Sequence, residues 1–457
     1  MLSKMSKNNV NFIVLLFLFF AWGFVTCLND LLTPILKHMF VLSQFEANFV
    51  SFAFFIAYFI GSLFYIVCSM FGLPFFYKLG YKGLILFGLA LSALGCLIFI
   101  PAAMFASYPI FLVGLFSIGF GFTFLQISAN PLVIISGVGK TGASRLNLAG
   151  GFNSLATAVA PIVGVLVFYT ILKVNTHHER LKYPYIFLFL FFVVITFLIW
   201  KFLHTKEEHT FNAESGKPYA LNHANLLFGM LAIFCYVGAE VSIGSNLITY
   251  LKSADTLSMA ENIAGKYLAF YWGGAMIGRF LGGVALSEVG KLRKLITMIV
   301  ISILLTCLIL YTTGTLDTNI NYYIGFIILS IILFMFSRDA RINLILFSIV
   351  NVTILFIAAS TYNSNFAVWA LLSAGLFNSV MWPNIFNLAL AGLGKYREQA
   401  SSFLVMMILG GAILPIIQGR IADNSNIVIS FVVPMLGYIY ILGYSIFYSK
   451  KHLNLIK

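Results

Sequence analysis

Two carboxylates stand where a lipid-facing chain would not keep them without a use. Asp30 lies in TCLNDLLTP and Glu240 in CYVGAEVSIGSN, each inside a long apolar stretch. An ionisable group at mid-membrane costs about 2.5–3.5 kcal/mol on insertion scales, so each is a candidate functional group. Burial disfavours the charged form, which lets such a carboxyl take up and release a proton near neutral pH. That is the chemistry a proton-coupled carrier needs. The alternative is a carboxylate bonded to neighbouring Ser, Thr or Asn merely to join helices.

A set of amides comes next. Gln126 and Asn130 are four apart and share a helix face, as do Asn153 with Thr157 and Asn378 with Trp382. Gln418 stands near the end of a later apolar stretch. An amide donates and accepts at once, which suits ring hydroxyls. Trp272, Trp382 and Tyr236 could stack on the apolar face of a sugar. Amides can equally glue helices together. The pairs Gly150-Gly151, Gly273-Gly274, Gly282-Gly283 and Gly410-Gly411 are read as sites of close helix packing.

Only transmembrane helices can hold these groups. Of 457 residues, 61% are hydrophobic and 9% charged, against roughly 25% charged in soluble domains. The mean hydropathy is +0.99. A span needs about 20 apolar residues. The sequence predicts them at 10–40, 45–72, 82–103, 107–136, 144–172, 184–203, 225–252, 262–287, 292–313, 321–337, 342–360, 365–393, 399–420 and 426–448. Period-2 alternation, the mark of a membrane barrel, is absent. The expected fold is therefore an all-α polytopic membrane protein with 14 helices.

The net charge of +13 does not point to nucleic acid, because the basic residues are scattered singly. Topology accounts for them. With the N-terminus in the cytoplasm, about 20 of the 27 basic residues fall inside, among them Lys82, Arg145, Lys201, Arg279, Lys294 and Arg341. Both termini are then cytoplasmic, in a multi-pass protein of a bacterial inner membrane. A polar segment at 204–224 divides the chain into a six-helix half, 1–203, and a second half, 225–457. The halves echo each other, as in FFIAYFIGS (54–62) against FYWGGAMIGRF (270–280). Repeated halves are the substrate of alternating access. The second half has two helices more, expected as an inserted hairpin at about 315–362.

Other chemistry finds no footing. The five cysteines form no Cys-x-x-Cys pair and no metal cluster is indicated. SGVGKTGAS (136–144) lacks the first glycine of a phosphate-binding loop, since position 134 is Ile134. No hydrolase motif appears. The reading is of a protein that is not an enzyme, with no cofactor beyond a coupling proton, no catalytic residue and no metal.

The motifs WGFVTCLNDLLTP (22–34), LQISANP (125–131), SRLNLAGGFNSLATAVAP (144–161), YVGAEVSIGS (236–245), YWGGAMIGRF (271–280), GLFNSVMWPNIFNLAL (375–390) and GGAILPIIQGRIAD (410–423) occur in this order. Together they resemble the fucose–galactose–glucose:proton symporter family of the major facilitator superfamily, over nearly the whole chain. The resemblance implies a fold of two pseudo-symmetric halves, 12 helices plus the hairpin. Asp30, preceded by Asn29, matches the family's first-helix proton-coupling aspartate. Gln126 matches a sugar-binding glutamate of the fucose symporter, and Asn153 a fifth-helix asparagine near the sugar. Gly150 replaces a glutamine there. Gln126 together with Glu240 resembles the glucose/galactose branch and points away from L-fucose.

The expectation is transport of a hexose-type sugar by proton symport with alternating access. Asp30 and Glu240 serve the proton. Asn29, Gln126, Asn130, Asn153, Asn378, Trp382 and Gln418 serve the sugar. The partners are sugar, proton and bilayer, and the protein is a monomer. The rivals are a uniporter, a carrier of another small metabolite such as fucose or N-acetylglucosamine, and a non-transporting sugar receptor.

Overall fold

The computed structural model describes residues 7–41, 44–71, 74–137, 139–164, 182–205, 219–253, 256–314, 317–337 and 339–447. Over these residues the protein is all helical. The helices are α1 (Lys7–Met39), α2 (Gln44–Met70), α3 (Pro74–Met104), α4 (Tyr108–Ile135), α5 (Gly142–Gly164), α6 (Lys182–Phe202), α7 (Ala224–Lys252), α8 (Glu261–Ala285), α9 (Lys291–Thr313), α10 (Ile320–Phe336) and α11 (Ala340–Ser360). Three more spans are broken: α12 (Asn365–Asn378) with α13 (Met381–Ala389), α14 (Arg397–Met406) with α15 (Gly410–Asn424), and α16 (Ile427–Ser430) with α17 (Val432–Phe447). That makes 14 spans among the described residues. Eleven are long and apolar enough to cross a membrane, and α10 is a shorter apolar helix. The remaining two, α5 and α8, are the polar ones, with Arg145, Asn147 and Asn153 on the first and Lys266 and Arg279 on the second. Most of the polar segment at 204–224, and the expected tail of the fifth helix beyond 164, lie outside the described residues.

The chain forms two compact units. One comprises Met1–Gly137, Leu155–Asn222 and Leu393–Met406. The other comprises Val138–Ser154, His223–Gly392 and Met407–Lys457. The units are not the sequence halves, because each takes a short piece of the other half. In the first unit α3 packs on α4 and α6, α2 on α4, and α14 on α2 and α4. Tyr65 Oη of α2 donates to Glu398 Oε2 of α14 at 3.1 Å, and Gln399 Oε1 accepts from the Ala220 N–H at 3.0 Å.

In the second unit the start of α5 lies against α8 through glycines on both helices. A Cβ on Gly283 would stand 3.2 Å from Leu148 Cβ, and one on Gly151 would stand 3.1 Å from the Phe280 ring. A Cβ on Gly282 would come within 2.5 Å of Val380 Cγ1 and 3.0 Å of Asn147 Oδ1. Small residues let two backbones approach this closely, which is how polar helices satisfy one another away from lipid. Ser144 Oγ donates to the Gly283 carbonyl at 2.5 Å, which ties the two helices at that point. The glycine pairs on α5 and α8 thus each receive residues of the opposite helix, Arg279 and Phe280 on one side and Asn147 and Leu148 on the other.

The added helices are set apart by their packing. α11 lies on α12 and α17 in the way that α3 lies on α4 and α6. α9 and α10 stand outside that correspondence, with α9 on α8, and α10 on α8, α9 and α12. The span of α9 is 17% buried, against 89% for Asn365–Ala389. The extra pair is therefore α9–α10, one helix earlier than the 315–362 expected from order along the chain. Apolar length cannot tell an added helix from its neighbour, whereas packing partners can. Two α8 glycines receive the pair: Gly273 beneath Ile309 of α9, and Gly274 beneath Tyr323 of α10, whose hydroxyl donates to the Phe270 carbonyl at 2.8 Å.

Several basic residues counted toward one membrane face cap helix ends. Lys82 Nζ donates to the Trp200 carbonyl at 2.8 Å and Lys294 Nζ to that of Ala285 at 2.6 Å. Arg341 donates to the carbonyls of Ser445 and Ile446 at 2.7 and 3.0 Å. Each cation meets the free carbonyls and negative dipole end of a terminating helix. The same residues that bias the loops thus fasten α6, α8 and α17 to their neighbours.

Candidate functional site

Each unit holds a buried polar set, described in turn. In the second unit it begins with a helix break. Pro383 has no N–H, so the carbonyl four residues earlier, on Ser379, loses its helical donor. The chain turns there between α12 and α13. Arg279 of α8 takes the vacant acceptor, with Nε at 3.4 Å from the Ser379 carbonyl. Its Nη2 lies 3.2 Å from Glu240 Oε1 of α7, an ion pair whose side chains are 18% and 11% exposed. Its Nη1 donates to Ser154 Oγ of α5. One guanidinium, with its fork of donors, therefore joins α5, α7, α8 and the α12–α13 break.

Tyr271 extends the set. Its hydroxyl donates to the backbone carbonyl of Glu240 at 2.9 Å and accepts from Asn378 Nδ2 at 2.8 Å. Trp382, one turn past the break, lies 6.5 Å from the Tyr236 ring and stacks on Phe386 at 5.5 Å. Tyr236 faces both Glu240 and Arg279. The Glu240 backbone, an amide and aromatic faces are thus connected by named hydrogen bonds or ring contacts, with the Glu240 carboxylate held beside them by Arg279. Such a set can hold a proton, bind hydroxyls and stack on an apolar sugar face.

In the first unit Gln126 and Asn130 are buried on α4, at 3% and 0% exposure. The Tyr58 hydroxyl of α2 is within hydrogen-bonding reach of Gln126 and Trp22. Phe122 stands beside this group, 6.4 Å from Trp22 and 6.0 Å from Phe54. Neither polar atom of the Asn130 side chain has a protein partner among the described residues. A buried amide left so costs about 1–3 kcal/mol, which favours a role met only when something else binds. A second proline effect appears nearby. Pro161 deprives the Thr157 carbonyl of its donor, and Cys27 Sγ of α1 points to it at 3.5 Å.

The expected residues sort as follows. Glu240, Asn378 and Trp382 come together in the second unit. Asn153 is half-buried on α5 in that unit, one residue before the Ser154 that Arg279 holds. Gln126 and Asn130 share α4 in the first unit. Gln418 is buried on α15, where its Nε2 donates to Ser430 Oγ at 3.3 Å and so links α15 to α16. Asn29 and Asp30 belong to α1, and their side chains lie outside the described residues.

Sequence reasoning missed four participants: Arg279, Tyr271, Tyr58 and Ser154. Arg279 was counted with the basic residues of the cytoplasmic loops. The structure corrects this, since it is an intrahelical residue paired to Glu240. The signal was present, because 279 lies well inside the predicted helix 262–287. An arginine there calls for a partner as much as a carboxylate does. Among the described residues no group of three or more His, Cys, Asp or Glu could hold a metal ion.

The comparisons with known proteins agree with this architecture. The Major Facilitator Superfamily profile matches residues 14–338. The glucose/galactose transporter of Brucella abortus is 36% identical over 456 residues, covering 98% of this chain and 96% of that protein. The L-fucose-proton symporter of Escherichia coli is 28% identical, covering 97% and 94%. Among solved structures, FucP in the outward conformation superposes with a TM-score of 0.74 at 26% identity, covering 96% of this chain and 99% of that one. With its spans, its broken helices and its two buried polar sets, the chain is a multi-pass membrane protein that belongs to the Major Facilitator Superfamily, alongside the relatives named glucose/galactose transporter and L-fucose-proton symporter.

Proposed function

We propose that this protein carries a hexose-type sugar, glucose- or galactose-like, across the bacterial inner membrane together with a proton, by alternating access. The observation that carries the reading is the buried set around Glu240, whose carboxylate pairs with Arg279 while its backbone carbonyl is joined through the Tyr271 hydroxyl to the Asn378 amide, so that a titratable group and groups suited to a sugar stand side by side. The names of the relatives support the same solute class and the same coupling ion. Asp30 of α1, with Asn29, receives the periplasmic proton, and Glu240 is the second titrating carboxylate. Gln126, Asn130, Asn153, Asn378 and Trp382 bind the sugar. Gln418 serves as a helix link in support of that surface. The protein works as a monomer with both termini in the cytoplasm.

The test is counterflow in proteoliposomes with glucose, galactose, L-fucose and N-acetylglucosamine. Asn378→Ala and Gln126→Ala should each lower the apparent affinity for one sugar at least tenfold, the loss of about one good hydrogen bond to a bound hydroxyl. Asp30→Asn should retain counterflow and lose accumulation driven by a proton gradient. Counterflow of none of the four by the wild-type protein rejects the sugar reading. Accumulation by Asp30→Asn equal to wild type rejects the role of Asp30.

A further inference from the structure

α11 carries more buried polarity than a membrane span needs. Asn343, Ser348 and Asn351 are all wholly buried on it. Asn343 is satisfied, since its Oδ1 accepts from Asn384 Nδ2 at 2.6 Å and its Nδ2 donates to Ser337 Oγ at 3.1 Å. Ser348 Oγ and both polar atoms of the Asn351 side chain have no protein partner among the described residues. The two residues are three apart and share one face of the helix.

The register of the second unit shows what stands beside that face. α11 runs antiparallel to α12 and α13, pinned by the Asn343–Asn384 bond and by the Phe347 and Phe377 rings at 5.5 Å. Ser348 is therefore level with Asn378, and Asn351 is one turn further out, level with Ser373. α17 also runs antiparallel to α11. It is tied at one end by the Arg341–Ser445 bond. At the other, Tyr250 meets both the Ala358 carbonyl and the Phe431 ring. Tyr438 thus comes to the level of Ser348, and its hydroxyl faces the Asn378 amide. Tyr438 Oη and Asn378 Oδ1 are wholly buried and again have no protein partner among the described residues. α12, α13 and α17 carry no charged residue, and the one charge on α11, Arg341, is engaged at the helix start.

We propose that ordered water fills a buried site bounded by Ser348, Asn351, Asn378 and Tyr438, and that this water fixes the Asn378 amide from behind. The second clause rests on the sugar reading above. A buried polar group left unpaired costs about 1–3 kcal/mol. Proteins meet such groups with internal water, which takes two to four polar partners. Polar groups that face each other beyond direct reach are commonly joined by one. The donors and acceptors here are neutral and mixed, which suits water and not an ion. Asn378 Nδ2 already donates to the Tyr271 hydroxyl at 2.8 Å. Water donating to Oδ1 sets the remaining end of the amide. Ser348 and Asn351 are then positioning residues that act on Asn378 through water.

The test is X-ray radiolysis of the purified full-length protein in nanodiscs. Radiolysis makes hydroxyl radicals from waters in place, so a buried ring beside bound water is hydroxylated and a dry one is not. Tyr438 should be labelled. Tyr323, equally buried but with its hydroxyl on the Phe270 carbonyl, is the control. Ser348→Ala and Asn351→Leu should each lower Tyr438 labelling severalfold. Asn351→Leu should also lower the melting temperature by about 2–4 °C, because the water loses its partners. A dry Asn351 gives the opposite sign, since leucine would then remove two unpaired groups from the interior. Tyr438 labelled no more than Tyr323, or Asn351→Leu as stable as the parent, overturns the water site. So does loss of Tyr438 labelling on adding saturating glucose or galactose, which would assign these atoms to the sugar. In counterflow, Asn351→Leu should weaken the apparent sugar affinity severalfold, and an unchanged affinity overturns the positioning role. Absence of counterflow in the parent counts against the sugar reading alone, because the labelling needs no sugar.

Discussion

Removing one partner of the Glu240–Arg279 pair should harm the protein more than removing both. In Arg279→Met the carboxylate keeps its burial on α7 and loses the cation 3.2 Å away. Breaking a buried pair on one side typically costs about 3–5 kcal/mol. The side chains are 18% and 11% exposed, so some water reaches them and the lower end of that range applies. Glu240→Gln leaves the guanidinium unpaired and should cost a similar amount. The double variant Arg279→Met, Glu240→Gln strands no charge. It forfeits the ion pair and the Arg279 hydrogen bonds to Ser154 Oγ and the Ser379 carbonyl, about 1–3 kcal/mol in total. The cycle should therefore close with a coupling of about 3–5 kcal/mol, far above the 0.3–0.5 kcal/mol within which independent sites add. The assay is denaturant unfolding of the purified protein in detergent, followed by tryptophan fluorescence. Single-variant losses that simply add in the double variant would refute the reasoning, because the two groups would then not be a pair.

Three further outcomes follow from particular contacts. Gly282→Ala places a methyl 2.5 Å from Val380 Cγ1 and 3.0 Å from Asn147 Oδ1, so it should lower stability by about 1–3 kcal/mol in the same unfolding assay. Asn384→Leu should cost about 1–3 kcal/mol, because Asn384 Nδ2 donates to Asn343 Oδ1 at 2.6 Å and that buried oxygen would lose its donor, while Asn147 Nδ2 would keep only its bond to the Ala143 carbonyl. Asp317, in the turn between α9 and α10, is pushed upward by burial. Hydrogen bonds from the Asn319 N–H, Tyr267, and the Asn319 and Thr318 side chains outweigh that and hold its carboxyl below the usual range. A group lowered in the folded state contributes stability above its unfolded value and loses it only as pH falls through the folded one. The Tyr267–Asp317 tie should therefore persist from pH 8 to 5, and Asp317→Asn should leave the pH profile of uptake unchanged.

The spans were legible because a bilayer demands apolar length and little else. α2, α7 and α11 begin and end within two residues of the predicted 45–72, 225–252 and 342–360. The breaks were less so. The predicted helix 365–393 divides at Ser379–Val380 and 399–420 divides at Met407–Leu409. Pro383 signalled the first, but a proline is tolerated in the first turn of a new helix as well as at a kink, and the sequence does not choose. The division into units was hidden for another reason. Whether the start of α5 belongs with α8 depends on two glycine pairs more than 130 residues apart, each of which reads alone as ordinary packing. Within the site, Glu240, Asn378 and Trp382 were visible from residue type and depth. Arg279 was absorbed into a count of positive charges, although its place inside a span was as plain as that of Glu240.

The central claim is proton-driven sugar transport. It is tested most directly by uptake of radiolabelled glucose, galactose, L-fucose and N-acetylglucosamine into proteoliposomes, with and without an imposed inward proton gradient. The account predicts accumulation of glucose or galactose above the external concentration when the gradient is present, and collapse to simple equilibration when a protonophore dissipates it. Uptake of the sugar that is indifferent to the gradient would contradict the coupling, and sugar binding without any uptake would contradict transport itself.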